Sequence, residues 1–171
     1  MNKLKHLLLM SVLSTAMISQ AGNPFFSKFN TPHETYPFDE IKVEHYVPAF
    51  EEGMKRHNAE IEAIINNPKP ATFENTIVAL DNSGEMLNVV AGAFYNMINA
   101  ETNDELDAIA QEMAPKWSMH SNDILLNQQL FERVKAVYTQ KDKLKLNKEQ
   151  QMLLQKTYDY ALTLSTEGVT D

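Results

Sequence analysis

The 171-residue chain contains no cysteine. Neither a disulfide framework nor a lipid-modified cysteine is available to it, so the fold must be held by packing alone. Glycine occurs five times and proline seven, too sparsely for a β-rich chain full of tight turns. The longest apolar run, Leu7 to Ile18, falls short of the ~20 residues that cross a bilayer as a helix, which argues against a stable membrane span. Also missing are a Gly-rich phosphate loop, a nucleophile elbow and a basic patch interleaved with aromatics. Phosphate-loop chemistry, elbow-serine hydrolysis and nucleic-acid binding lose their sequence support together.

What is present is helical in character. Leu, Ala, Glu, Lys, Gln and Met are abundant and favour helix. A content of 43% hydrophobic and 22% charged residues is that of a globular chain with a core, and the expected fold class is all-α. The start has the anatomy of a signal peptide: Lys3 and Lys5, the apolar run, then Ser19-Gln20-Ala21 with small residues at the positions a signal peptidase inspects. Cleavage is expected after Ala21, and the protein is expected to be exported, periplasmic in a Gram-negative source and otherwise extracellular. Two of the 15 basic side chains leave with residues 1–21, so 13 remain against 23 acidic ones and the formal charge becomes −10. Such a surface disfavours polyanionic partners.

Residues 22–40 are aromatic and proline-punctuated, without helical or strand period, and read as an extended arm whose Phe25, Phe26, Phe29, Tyr36 and Phe38 need a groove in a larger body. Residues 41–171 form a helical region with no linker or repeat. A first helix is expected from about Val47 to Asn66, with Pro48 tolerated in its first turn and Phe50, Met54, His57, Ile61, Ile64 and Ile65 on one face. Pro68 and Pro70 end it, and Thr72 is placed to cap the next. Phe73, Ile77, Leu80, Gly84, Leu87, Ala91, Phe94 and Ile98 alternate steps of four and three, which predicts one continuous helix of about 26 residues, roughly 39 Å long. Gly84 and Gly92 inside it imply a close neighbour or a bend. Thr102 and Glu105 are expected to form a capping box for a third helix, which Pro115 should kink or split. A shorter helix is expected over Gln128–Tyr138 with Leu130, Val134 and Val137 inward, and a last one capped by Asn147 and Gln150.

A helical zinc site needs two histidines one turn apart with a glutamate between, H-E-x-x-H, and a third ligand nearby. The histidines are His6, His33, His45, His57 and His120, and no two are three or four residues apart. His33-Glu34 is followed by Thr35, Tyr36 and Pro37. His57 falls on the inward helix face and reads as a hydrogen-bonded core or boundary histidine. Ser118, His120 and Asp123 cluster in sequence, yet as successive helical residues they point apart and form no triad. Glu51-Glu52, Asp39-Glu40 and Glu60 with Glu62 read as solvated faces. No catalytic, cofactor-binding or metal-ligating residue is assigned.

Three stretches carry a resemblance: Glu44-His45-Tyr46-Val47-Pro48-Ala49-Phe50, Thr72-Phe73-Glu74-Asn75-Thr76-Ile77-Val78-Ala79-Leu80, and Leu126 to Tyr138. Together, in this order, they resemble the N-terminal region of the thimet oligopeptidase and peptidyl-dipeptidase (dipeptidyl carboxypeptidase) family of zinc metallopeptidases, over about Asn23 to Tyr160. The resemblance implies a mostly helical, channel-containing enzyme that takes short peptides, uses zinc to activate water, and releases C-terminal dipeptides. It implies further that these helices build part of the channel wall, whereas the zinc motif and the other catalytic groups lie in a C-terminal part missing from this chain. The sequence from Ala161 to Asp171 leaves the family pattern, as a truncated gene, a frame disruption or a fragment of a longer sequence would. The chain alone is therefore expected to be inactive and to bind no zinc. The alternative reading is a secreted, non-catalytic helical module that binds a peptide or protein; an independent hydrolase is a remote third.

Overall fold

The computed structural model describes residues 22–167, with side chains through residue 163. The expected leader, residues 1–21, and the final four residues lie outside the described residues. The fold is all-α, and no strand occurs among the described residues. Helix α1 spans Tyr46–Ile65. A π-helix, Phe73–Val78, runs into the short α2, Ala79–Asp81. Then follow α3 (Glu85–Ala100), α4 (Asp104–Leu125), α5 (Gln128–Tyr138) and α6 (Lys148–Glu167). The chain divides into two compact units, one holding the described residues up to Gly53 together with Met86–Met113, the other Met54–Glu85 and the residues from Ala114 onward.

The first unit is organised by aromatic rings. Residues 22–45 wind through short 3-10 turns at Pro24–Phe26, Pro32–Glu34 and Val43–His45. Asn23 is buried; its Oδ1 accepts from the Phe25 amide at 3.1 Å and its Nδ2 donates to the His45 carbonyl at 2.8 Å. That anchor seats Phe25 on Tyr46, with centroids 5.6 Å apart, and Tyr46 and Phe50 both meet Phe94 edge-on at 5.0 and 5.4 Å, the geometry aromatic quadrupoles prefer. The proline-rich segment thus buries its Phe25 against this chain's own helices, and only Phe38 among its rings is left exposed. Gly92 lets α3 come close to the segment, since a Cβ there would run into the Tyr36 hydroxyl.

The second unit has an aliphatic core of Phe73, Ile77, Val134, Val137 and Leu154, with Ile61, Ile64 and Leu130 in a second cluster. Each such side chain contributes about 1.5–3 kcal/mol on burial. Helix starts are fixed by side chains. Thr72 accepts from the Asn75 amide at 3.1 Å while Asn75 Oδ1 accepts from the Thr72 amide at 2.8 Å; Asn147 and Gln150 exchange the same pair of bonds at 2.9 and 3.0 Å ahead of α6. Arg133 on α5 reaches the Asn67 carbonyl at 3.1 Å and Asn75 Oδ1 at 3.4 Å, so the proline loop between α1 and the π-helix is tied to α5.

Three expectations are corrected. The heptad-patterned segment is not one helix: it breaks at Asn82–Gly84, where Gly84 takes φ +74°. An apolar period reports which residues are buried and is blind to a backbone break that preserves the period. The α4 cap is Asn103, whose Oδ1 accepts from the Leu106 amide at 2.9 Å, while Thr102 bonds the Asp107 carboxylate at 2.7 Å. Pro115 does not split α4, which continues through it to Leu125.

Gly84 generates a prediction. A side chain there must adopt a left-handed backbone, and its Cβ would lie 2.9 Å from His57 Nδ1. Gly84→Ala should lower stability by about 2–4 kcal/mol, measured as a shift of the urea midpoint; an unchanged midpoint would show that the turn relaxes freely.

Candidate functional site

Sequence spacing separates His57 from His120 by 63 positions, yet the second unit brings them together. His57 Nδ1 lies 3.0 Å from His120 Nε2, with ring centroids 5.0 Å apart, and His57 Nε2 lies 3.1 Å from Ser83 Oγ. The α1 periodicity aims His57 inward, α4 supplies His120, and the Asn82–Gly84 turn presents Ser83. The glycine at 84 leaves room for the imidazole beside it.

The hydrogens in this cluster follow from donor accounting. Ser83 Oγ lies 2.7 Å from the Leu80 carbonyl, which can only accept, so the serine proton goes there. His57 must then donate its Nε2–H to Ser83, which leaves Nδ1 of the neutral ring as an acceptor, and His120 Nε2 must donate to it. Both imidazoles are held below the ordinary value. Burial is the largest cause for each; His120 adds to the depression at His57, Glu60 opposes it there, and Asp123 opposes it at His120.

This arrangement is a hydrogen-bonded clasp. Ser83 has given its proton to a carbonyl and receives one from His57, the reverse of an activated nucleophile. The adjacent Gly84 amide, where an oxyanion donor would be sought, donates to Glu60 Oε2 at 2.7 Å. Ser118 and Asp123 are exposed while His120 is buried, so the sequence cluster does not converge. Among the described residues no three His, Asp or Glu side chains come together to hold a metal ion. His45 closes the turn before α1, its Nδ1 accepting from the Lys42 amide at 3.0 Å, and burial lowers its pKa. His33 is exposed in a turn. Glu60, read from sequence as part of a solvated face, is exposed and also accepts the Gly84 amide at 2.7 Å.

The feature with binding character is a cleft of about 520 Å³ in the same unit, within the size range of small-molecule sites. Leu80, Leu130 and Val134 give it an apolar floor, and Asp81, Lys156 and Tyr160 stand among its lining. Its walls come from the end of α4, from α5 and from α6. Sequence reasoning named Leu130 and Val134 as inward-facing without finding the cleft, because both residues have the period of ordinary core. Tyr160 on α6, 58% exposed, stands at the cleft as well.

No family model matches the chain. Among curated proteins it is 43% identical over 127 residues to dipeptidyl carboxypeptidase of Escherichia coli (strain K12) and 42% identical over 127 residues to the dipeptidyl carboxypeptidase of Salmonella typhimurium (strain LT2); each match covers 74% of this chain and 19% of the relative. Oligopeptidase A of Salmonella typhimurium (strain LT2) is 25% identical over 99 residues, 58% of this chain and 14% of that protein. The chain therefore spans about a fifth of the length of the dipeptidyl carboxypeptidases it matches.

The cleft predicts uptake of an apolar ligand. Ala161 is part of its lining, and Ala161→Glu would set a carboxylate against the apolar floor. Binding of the fluorophore anilinonaphthalene sulfonate should weaken about tenfold, with the circular dichroism of the helices unchanged; equal affinity would place the probe elsewhere.

Proposed function

This chain belongs to the peptidyl-dipeptidase and thimet oligopeptidase family, and from that premise we propose that it is the non-catalytic, N-terminal helical part of an exported, zinc-dependent oligopeptidase that releases C-terminal dipeptides from short peptides. The observation that carries the reading is the 43% identity over 127 residues to a dipeptidyl carboxypeptidase. The all-α architecture agrees with a role in building a wall, and Thr72, Asn75 and Arg133 are spent on a helix start and a loop clamp. Export is supported by the basic start, the Leu7–Ile18 run and the small residues Ser19 and Ala21; the proposed location is the periplasm in a Gram-negative source and the extracellular space otherwise. No helix among the described residues is long and apolar enough to cross a membrane.

The residues described here do not fit a resident zinc. His57 and His120 spend their facing nitrogens on each other, His45 Nδ1 is taken by a backbone amide, and no third ligand joins any of them. The reading accordingly assigns neither metal nor chemistry to this chain. A second reading, a helical module that binds a peptide or protein without catalysis, is favoured by one observation, the apolar cleft with no activated nucleophile beside it.

A hybrid enzyme separates the two. The matching 127-residue segment of the Escherichia coli dipeptidyl carboxypeptidase is replaced by that of this chain, and release of a C-terminal dipeptide from a blocked tetrapeptide is assayed. Activity within about tenfold of the parent, a barrier change of about 1.4 kcal/mol, is expected; a folded hybrid without activity would favour the binding module. The 171-residue chain by itself should bind no stoichiometric zinc and cleave no blocked tetrapeptide. One tightly held zinc per chain with chelator-sensitive cleavage would move the catalysis into this chain and overturn the assignment.

A further inference from the structure

We propose that His57 and His120 form a pH-operated clasp that ties the Met54–Ile65 part of α1, the Asn82–Gly84 turn and the Ala114–Leu125 part of α4 together within the second unit, closed while at least one imidazole is neutral and released by the second proton. The argument is geometric. Three of the four ring nitrogens are committed: His57 Nε2 to Ser83 Oγ at 3.1 Å, His57 Nδ1 and His120 Nε2 to each other at 3.0 Å. His120 Nδ1 has no hydrogen-bond partner among the described residues. A first proton can settle there and leave every existing bond intact, because His120 still donates from Nε2. A second must settle on His57 Nδ1, the acceptor of the bond between the rings. Two N–H groups on two cations would then face each other across 3.0 Å, and the attraction becomes repulsion.

The charged groups facing the pair are Glu60 from α1 and Asp123 from α4; the turn contributes the neutral Ser83. Asp123 favours the first proton on His120. Glu60 would favour the second on His57, but its Oε2 already accepts the Gly84 amide, so opening the clasp also puts that cap at risk. The direction of the pH effect follows. Both rings hold their protons less tightly in the folded chain than the ordinary value near 6.5, so the unfolded chain binds more protons below that value. The contribution of the pair is full above about pH 6.5 and declines as the pH falls toward the depressed values.

The test uses the full 171-residue chain. Long-range proton–nitrogen NMR should find both imidazoles as Nε2–H tautomers at pH 8, with His120 Nδ1 taking up the first proton on acidification and His57 staying neutral to lower pH. Hydrogen-exchange protection of amides near His57, Ser83 and His120 should fall about tenfold from pH 7.5 to pH 5 as the clasp opens. His120→Gln keeps an N–H donor toward His57 and cannot be protonated, so its loss of protection should be no more than half the wild-type loss on a logarithmic scale. Nδ1–H tautomers, simultaneous titration of both rings near 6.5, or an undiminished loss in His120→Gln would each overturn the clasp. The tautomer measurement needs no variant and stands if His120→Gln fails to fold.

Discussion

A single backbone constraint, the left-handed turn at Gly84, organises the polar interior of the second unit. The turn is possible because residue 84 has no Cβ, and the space so released is filled by the imidazole of His57. Everything nearby is keyed to that substitution of ring for side chain. The turn is held from one side by Glu60, which accepts the Gly84 amide, and from the other by Ser83, which bonds back to Leu80. Because Ser83 spends its proton on Leu80, the tautomer of His57 is set, and through it the tautomer of His120. Leu80, Ser83, His57 and His120, on four elements, thereby become one hydrogen-bond system.

The same interactions leave Ser83 without the geometry of an activated nucleophile. Catalytic groups need an unspent lone pair or a displaceable proton aimed at open space. Here the serine, the histidines and the glutamate direct those assets at one another. Open space exists elsewhere, in the apolar cleft between α5 and α6, where no activated group faces it.

Local signals were legible to the extent that they act over three or four residues. Thr72 with Asn75 and Asn147 with Gln150 announce helix starts because a capping side chain reaches only the amide three positions on. The Gln128–Tyr138 helix and its inward Leu130, Val134 and Val137 are found where the period puts them. The cap of α4 slipped from Thr102 to Asn103 because two adjacent residues offered equivalent side chains and the packing of Leu106 chose between them. The break at Gly84 was misread since a glycine in a heptad pattern supports both a tight crossing and a turn, and only the presence of His57 decides.

By itself the sequence determined the all-α class, the positions of most helices, the caps that begin them, and the family, all of which rest on local propensity or on the order of short motifs. Tertiary structure decided the rest: that the long heptad segment is two helices, that Glu60 caps a turn, that Phe25 is buried on Tyr46, and that two histidines 63 positions apart share a hydrogen bond. The physical reason is range. A cap or a period is a property of neighbours along the chain, whereas a clasp between α1 and α4 or a cleft beside α6 exists only after loop closure has made distant residues adjacent.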